Sequence, residues 1–563
     1  MHSFCQKLKS SKTRFIFVSG GVISGLGKGT TAASLAALLE GCGLKVFPIK
    51  VDMYLNIDAG TMNPLEHGET FVTADALECD QDIGTYERFL HRDLNRQNYF
   101  TAGQIYQSLL NKERQLKFNG ACVEAFPHIP LEIIEHINRF PDDTDIVIVE
   151  YGGTVGEYQN EAFFEAARMM VACSRQHVCF VHIGYILQPP SLGEMKSKPL
   201  QMSVRMLNEL GIFPDLVICR SENPIDKPRI AKIATAAGLS ENEVFSCPNV
   251  DSIYKLPKIL KEQNVLEPIL RKLHLETPLC NIPKWENLST KLANLKNKVR
   301  ISVVAKYYNS GQFSLADSYI SVLEAIKHAA WSLGVDPEIA WFDSESLEKN
   351  PNNLEKLKNS DAVIVPQGWG SRGSEGKIRA IQFARESKTP YLGLCFGMQM
   401  ATVEFGRNVV GLDRANSEEA DAHTPHPVIH IMKEQKELLK KQQYGGTIRL
   451  GAWPCKITKD SLIATLYAEN GWLPENSTID ERHRHRYEFN NAYREQYKAK
   501  GMHFTGLSPD GTLVEAVELD QSLHPFFIGT QFHPELISRP FTPHPLFIGL
   551  IKAALEHQKK RDN

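Results

Sequence analysis

The sequence predicts an α/β protein built from two domains in series, and three observations lead there. Short apolar runs alternate with helical stretches, the mark of a parallel sheet covered on both faces. The alternation breaks off in a polar stretch at 270–298 and then restarts. The chain has 563 residues, more than one hydrophobic core organises.

The first half opens with the run 14–18 (RFIFV), a glycine-rich turn, and a helix over 30–40 (TTAASLAALLE) stopped by Gly41 and Gly43. Further buried strands are predicted at 45–51, 145–150, 177–183 and 215–219. Residues 270–298 are polar and carry two prolines, which predicts an interdomain linker with some helix. A new strand begins at 299–305 (VRISVVA), followed by 361–365, 390–394 and 526–532. The predicted organisation is therefore 1–269, a linker at 270–298, and 299–563.

Composition narrows the class. Apolar residues make up 42% and charged residues 23%, the balance of a soluble globular protein. A net charge of −3 and a pI near 6.7 give no basic field for nucleic acid. No apolar run approaches the roughly 20 residues of a membrane span, and the N-terminus lacks the apolar core of a signal peptide. The 11 cysteines include no C-x-x-C pair, which argues against a zinc site. Cys179 and Cys219, in apolar strands, read as reduced core thiols of a cytoplasmic protein. The run Arg482 to Arg486 is the densest cationic cluster, and from charge alone it reads as a solvated loop.

Two segments carry chemistry. The first is SGGVISGLGKGT at 19–30, between a strand and a helix. Glycines there let backbone N–H groups turn towards an anion, and Lys28 reaches the terminal phosphates of ATP. Gly29 sits between Lys28 and Thr30, a departure from the usual G-K-[ST]. Glu150 ends a strand, and Asp80 and Asp82 lie in ECDQDIG; such carboxylates suit Mg²⁺ beside phosphates. The second segment is Gly393-Leu394-Cys395-Phe396-Gly397, a cysteine nucleophile elbow between strand and helix. The helix N-terminus favours a thiolate. A base and an orienting group follow as His533-Pro534-Glu535 after the strand at 526–532. ERHRHRYEFN at 481–490 offers cations for a substrate carboxylate.

These residues, with GTMNPLEHGETFVT (60–73), YERF (86–89), VEYGGTVGE (149–157), GEMKSKPLQ (193–201), DSIYKLP (251–257), ERHRHRYE (481–488), QFHPE (531–535) and HPLF (544–547), resemble the CTP synthases, the glutamine-hydrolysing amidoligases. The resemblance implies a P-loop-type parallel-sheet synthetase domain followed by a class I glutamine amidotransferase α/β domain. It implies that ATP phosphorylates O4 of UTP and that ammonia from glutamine displaces the phosphate, giving CTP. It also implies Mg²⁺, GTP as an allosteric activator, CTP as an inhibitor, and a homodimer or homotetramer in the cytoplasm.

Carried over residue by residue, Ser24 meets the pyrimidine nucleotide, Gly25, Leu26, Gly27, Lys28, Gly29 and Thr30 cradle ATP, and Lys50 assists phosphoryl transfer. Asp82 and Glu150 ligate Mg²⁺, and Asn249 and Val250 lie near adenine. Lys196, Lys198, Gln201 and Lys232 bind the UTP triphosphate. Glu124, Glu157, Tyr158 and Gln159 border the UTP and CTP pocket. Cys395, His533 and Glu535 form the glutaminase triad. Gly368, Phe396, Gly397, Met398 and Gln399 line the glutamine pocket, the Phe396 amide contributes to an oxyanion hole, and Glu419 and Arg484 hold the substrate's amino and carboxylate ends.

The chain departs from the family at 123–130 (VEAFPHIP), where Glu124 replaces a glutamine, at Gly156 to Gln159, and at His182 to Gln188. These changes leave open a second reading, a paralogue that aminates a modified pyrimidine nucleotide or another oxo-heterocycle. In the glutaminase half Gln367 replaces a glycine, strained if its φ were positive, and Phe396 replaces a leucine. Residues 467–480 are read as a surface loop insertion.

Overall fold

The computed structural model describes residues 2–191, 193–276, 279–306, 309–310, 313–314, 316–432, 435 and 446–562. The chain divides into two compact units, one of Met1–Asp58 and Thr85–Ala293, the other of Ala59–Gly84 and Asn294–Asn563.

The first unit is a seven-stranded sheet. Its strands are β1 (Arg14–Gly21), β2 (Val46–Asp52), β3 (Tyr99–Thr101), β4 (Ile146–Tyr151), β5 (Val178–Tyr185), β6 (Leu216–Ser221) and β7 (Val244–Pro248), in the spatial order β3-β2-β4-β1-β5-β6-β7. Every pairing is parallel. The strands read as almost unbroken apolar runs because helices cover both faces. The strand order turns back around β1, so the β1 C-terminus is the topological switch point where such sheets bind ligands. The glycine-rich turn follows β1, and the helix Lys28–Gly41 leaves it.

The second unit is a nine-stranded sheet of β8 (Lys298–Ala305), β9 (Asp336–Asp343), β10 (Ala362–Val365), β11 (Tyr391–Leu394), β12 (Arg449–Ile457), β13 (Thr478–His485), β14 (Met502–Leu507), β15 (Val514–Leu519) and β16 (Phe527–Thr530). The order is β9-β8-β10-β11-β16-β15-β14-β12-β13. From β9 to β16 the pairings are parallel, and from β16 outwards they are antiparallel. β11 and β16 are immediate neighbours, with Leu394 opposite Thr530. The cysteine and the histidine that follow these two strands therefore emerge side by side.

Three sequence expectations change. The cationic run at 482–486 is largely strand and not a solvated loop: Arg482, His483 and His485 are buried in β13. Within 467–480 only the middle is loop, since Tyr467 is a core residue of the helix Leu462–Glu469 and residues from Thr478 belong to β13. The polar stretch at 270–298 contains a docked helix, Pro283–Ala293, that belongs to the first unit. Its Trp285 is buried and stacks on Phe89 and Tyr254, with ring centroids 5.2 and 5.9 Å away. One tryptophan on a polar helix is too weak a periodic signal to read from sequence. Cys179 and Cys219 are buried free thiols, and Cys5 and Cys173 are joined in a disulfide.

Trp285→Ala removes the anchor of that helix. Losing a buried indole costs about 3–5 kcal/mol, so chemical unfolding of the full chain should show an early loss of the first unit. An unchanged transition would mean the helix is not docked in solution.

Candidate functional site

The nucleophile elbow is built by close backbone approach. Cys395 has φ 51° and ψ −100°, a sparsely populated conformation for a residue with a side chain. The turn holds because the Cys395 N–H donates to the Thr530 carbonyl at 2.6 Å and the Cys395 carbonyl accepts from Gln399 N–H at 3.1 Å. Gly397 is required by space: a Cβ there would lie 1.9 Å from the Val365 oxygen. The helix Phe396–Phe405 then starts directly behind the sulfur. Gln531 Nε2 donates to Cys395 Sγ at 3.5 Å, a contact that sequence reasoning missed.

His533 follows β16, and its N–H donates to the Arg482 carbonyl at 2.7 Å. His533 Nδ1 and Glu535 Oε1 are 2.7 Å apart, which orients the ring. Among the described residues Nε2 meets no partner at ordinary hydrogen-bond geometry, and the thiol faces it. Burial alone would lower the imidazole pKa. The Glu535 carboxylate and Cys395 outweigh it and raise His533 to about 10. The pair is thus set for proton transfer from sulfur to imidazole.

A small cavity brings these groups together. Cys395, His533, Gly368, Gln367, Trp369 and Arg484 line it, with Pro64, Glu69 and Thr70 from the Ala59–Gly84 segment and Ser318 and Tyr319. The expected residues Cys395, Gly368 and Arg484 therefore share one cavity. Arg484 Nε donates to Glu78 Oε1 at 2.8 Å, and its guanidinium lies 5.5 Å from the Trp369 ring. Glu69 holds the N-terminus of the helix Ile320–Ser332, accepting from Ser321 N–H at 3.0 Å. Glu419 reaches the 366–370 loop and accepts from Gly370 N–H at 2.7 Å. Gln399 is turned away, donating to the Tyr487 carbonyl at 3.1 Å, and Met398 packs on Gly529. Gln367 is not among the residues with positive φ, so the glycine replacement introduces no strain there. Neither the Gly368 nor the Phe396 amide meets a backbone acceptor among the described residues.

Behind the triad lie His483 and His485, whose facing ring nitrogens are 3.1 Å apart, and Glu515. Burial and the Arg449 guanidinium push both histidines well below the usual imidazole range. Arg449 also binds Glu515 at 2.7 Å. This leaves a compensated polar network rather than an anionic cage for a cation.

In the first unit the glycine-rich turn has Gly25 at φ 67° and Gly27 at φ 87°, the latter capping the Lys28–Gly41 helix. Its exposed N–H groups are a ready anion site. Lys28 is buried and donates to the Gly153 carbonyl at 2.6 Å. Thr30 Oγ1 donates back to Gly27, Gly29 lies inside the helix, Leu26 is buried and Ser24 is exposed. Lys50 Nζ sits 3.3 Å from Glu150 Oε1 and 3.7 Å from Asp52 Oδ1. Glu150 is fully buried and accepts from Tyr86 OH at 3.0 Å. Two carboxylates around one ammonium at the strand ends leave net negative charge and hard oxygens, a donor set that fits Mg²⁺. Asp82 falls in the second unit, at the start of the helix Gln81–Leu90, and donates its N–H to Asp80 Oδ1 at 2.7 Å.

Lys196, Lys198, Gln201 and Lys232 line one open cleft of about 690 Å³. Arg229, which sequence reasoning missed, joins them there, bound to Asp226 and Glu194. Lysine, arginine and glutamine converging on one cleft suit a polyphosphate. Ser24, Glu124 and 157–159 are not in its lining. Glu157 is engaged locally, accepting from Thr154 N–H at 2.7 Å and Gln159 Nε2 at 2.8 Å, and Tyr158 is exposed. Glu124 precedes the helix Ala125–Ile137 with its side chain exposed. Asn249 and Val250 follow β7, where Arg220 bridges Asn249 Oδ1 at 3.2 Å and the Leu26 carbonyl at 3.1 Å. Arg220 thereby ties the loop after β7 to the glycine-rich turn.

A strand–cysteine–helix elbow with a neighbouring histidine–carboxylate pair, joined in one chain to a parallel-sheet phosphate-loop unit, defines a glutamine amidotransferase coupled to a synthetase. Comparisons agree. Residues 14–275 match the family model of the CTP synthase N-terminus, and residues 314–553 match that of class I glutamine amidotransferases. The chain is 45% identical over 546 residues to the CTP synthase of Synechococcus sp., covering 96% of this chain and 97% of that one. It is 46% identical over 546 residues to that of Caldanaerobacter subterraneus, covering 96% and 98%. It is 45% identical over 553 residues to that of Staphylococcus saprophyticus, covering 98% and 100%. The solved glutaminase domain of the Trypanosoma brucei enzyme with bound acivicin is 38% identical, covers 46% of this chain and 94% of its own, and has a TM-score of 0.40. The chain belongs to the CTP synthase family.

His533 should remain protonated at pH 8 in the resting protein, because its pKa is raised to about 10. Its ion-pair contribution to stability is present below the ordinary imidazole pKa of about 6.5 and is lost as pH rises through the folded value. Glu535→Gln removes the first of the raising charges and should bring the His533 titration down towards neutrality by histidine ¹⁵N NMR. An unchanged titration would show that Glu535 does not act on the ring.

Proposed function

We propose that this chain aminates UTP to CTP, taking nitrogen from glutamine and consuming ATP. The observation that carries the reading is the presence in one chain of the assembled Cys395–His533–Glu535 site and a phosphate turn with buried Lys28, in a sequence whose likeness to CTP synthases spans nearly its whole length.

In the glutaminase half, 299–563 in the sequence division, Cys395 has given its proton to His533 in the resting site, and the thiolate attacks the glutamine amide carbon. The oxyanion is received by the Gly368 and Phe396 amides. His533 returns the proton to the departing nitrogen, ammonia leaves, and water releases glutamate from the thioester. Gly397, Met398 and Gln399 shape the pocket through backbone and packing. Arg484 receives the substrate carboxylate and Glu419 the ammonium end.

In the synthetase half, 1–269 in the sequence division, the turn from Gly25 to Thr30 and Lys28 cradle the ATP phosphates, and Asn249 and Val250 border adenine. Lys196, Lys198, Gln201 and Lys232 hold the UTP triphosphate, and Ser24, Glu124 and 157–159 border its pyrimidine and that of inhibitory CTP. The γ-phosphoryl passes to O4 of UTP, which turns a poor leaving group into phosphate; ammonia then displaces it at C4. Lys50 neutralises charge on the moving phosphoryl group. Glu150 would hold Mg²⁺, which supplies charge neutralisation at the phosphates. The family reading adds GTP as activator, assembly into dimers or tetramers, and a cytoplasmic location.

The test is CTP formation from UTP, ATP and either nitrogen donor. Cys395→Ala should lower glutamine-dependent formation by about 10³-fold or more and leave ammonia-dependent formation intact. Lys28→Met should abolish both. Loss of both in Cys395→Ala, or no CTP from UTP with ammonia, would overturn the reading.

A further inference from the structure

Two lysines that play no part in the triad are buried beside it. Lys306 ends the region of β8 and is 2% exposed; Lys377 lies in the helix Ser374–Ser387 and is fully buried. Burying two ammonium groups near each other is costly. Lys377 Nζ donates to the Pro366 carbonyl at 2.7 Å and the Gln367 carbonyl at 3.3 Å. Lys306 Nζ donates to the Trp369 and Gly370 carbonyls. The Phe396 ring lies 4.5 Å from one ammonium and 5.2 Å from the other.

The peptide unit is planar and trans. A Gln367 carbonyl turned to Lys377 therefore sends the Gly368 N–H the opposite way, and Gly368 lines the cavity with Cys395. Gly368 is also where the lysines press closest, since a Cβ there would lie 2.8 Å from Lys306 Cδ.

We propose that Lys306 and Lys377 are positioning residues for glutamine hydrolysis: by holding the carbonyls of the 366–370 loop and flanking the Phe396 ring, they aim the Gly368 and Phe396 amides at the oxyanion. The proposal rests on the glutaminase reading. Neither lysine is among the residues that line the cavity. The arrangement also gives Phe396 a purpose, because an aromatic face receives a cation that an aliphatic side chain does not.

The two lysines divide the work. Burial lowers Lys306 to about 8; the carboxylates Glu419, Glu345 and Glu348 oppose this, and Arg372 adds to it. Lys377 and the Tyr319 hydroxyl, which accepts from the Lys306 N–H at 3.2 Å, also face it. Lys377 is pushed well below the usual lysine range by burial and by Lys306. Lys377 has two carbonyl acceptors for its N–H donors. Lys306 carries its charge below its pKa and loses it above, whereas His533 titrates near 10.

The experiment uses the full chain and measures glutamate release from glutamine and ammonia-dependent CTP formation across pH. Lys377→Met should lower kcat for glutamine hydrolysis by about 10²-fold, the scale of a lost oxyanion donor, with KM and ammonia-dependent turnover changed less than about threefold. The unsubstituted protein should lose glutaminase kcat as pH rises through about 8, and Lys306→Met should lack that limb. A kcat loss under about tenfold in Lys377→Met, or no limb near pH 8 in the unsubstituted protein, overturns the proposal. If Lys377→Met also loses ammonia-dependent turnover, it has not folded, and the limb decides: its absence from Lys306→Met supports the pair and its persistence overturns it. No glutamate release by the unsubstituted protein overturns the glutaminase reading and the pair with it.

Discussion

The backbone at Cys395 is held where a residue with a side chain rarely goes, and the second unit is arranged around keeping it there. A residue at φ 51° and ψ −100° carries a strain of about 1–3 kcal/mol. Three neighbours absorb it: the Thr530 carbonyl that takes the Cys395 N–H, the helix that begins at Phe396, and the Val365 oxygen against which only glycine fits at 397. The parallel pairing of β11 with β16 places Thr530 opposite Leu394, and the same pairing delivers His533 to the thiol. The strain at Cys395 and the position of His533 thus follow from one strand register.

Charge is the second organising theme. Both units bury ionisable groups and compensate them locally. Lys50 lies between Asp52 and Glu150, and Glu150 is further held by Tyr86. In the second unit Arg449 answers Glu515, while two neutral histidines separate that pair from His533. Such pairs add little net stability over apolar packing, and removing one partner leaves an expensive orphan. Their concentration around phosphate-binding and thiol chemistry is what functional sites show when environments are used to set protonation states.

Local signals were the legible ones. The phosphate turn and the elbow declare themselves in five to twelve consecutive residues, because each is a strand–turn–helix with a steric need for glycine. Nine parallel strands were legible as apolar runs, whereas β3, β7 and β9, at the sheet edges, were not. The antiparallel part, β12 to β15, was not, since strands such as RLGAWPCKI and TIDERHRH carry charges that only tertiary partners neutralise. Arg482 reads as solvent-facing until Val72 supplies a carbonyl at 3.0 Å and Phe71 a ring 5.3 Å away. The cavity residues Glu69 and Thr70 lie some 325 residues before Cys395, and their grouping with the second unit is set by chain topology rather than by any local pattern. Arg229 escaped notice because a single arginine among surface charges carries no spacing signal.

The central claim is that the nitrogen released by Cys395 chemistry is the nitrogen installed on the pyrimidine. Full-length protein can be given UTP, ATP and amide-¹⁵N glutamine in the presence of unlabelled ammonium, and the CTP product analysed by mass spectrometry. The account predicts CTP carrying ¹⁵N at the C4 amino group, with one glutamate formed for each. CTP formed with no label at all, or glutamate released with no labelled CTP, would contradict it.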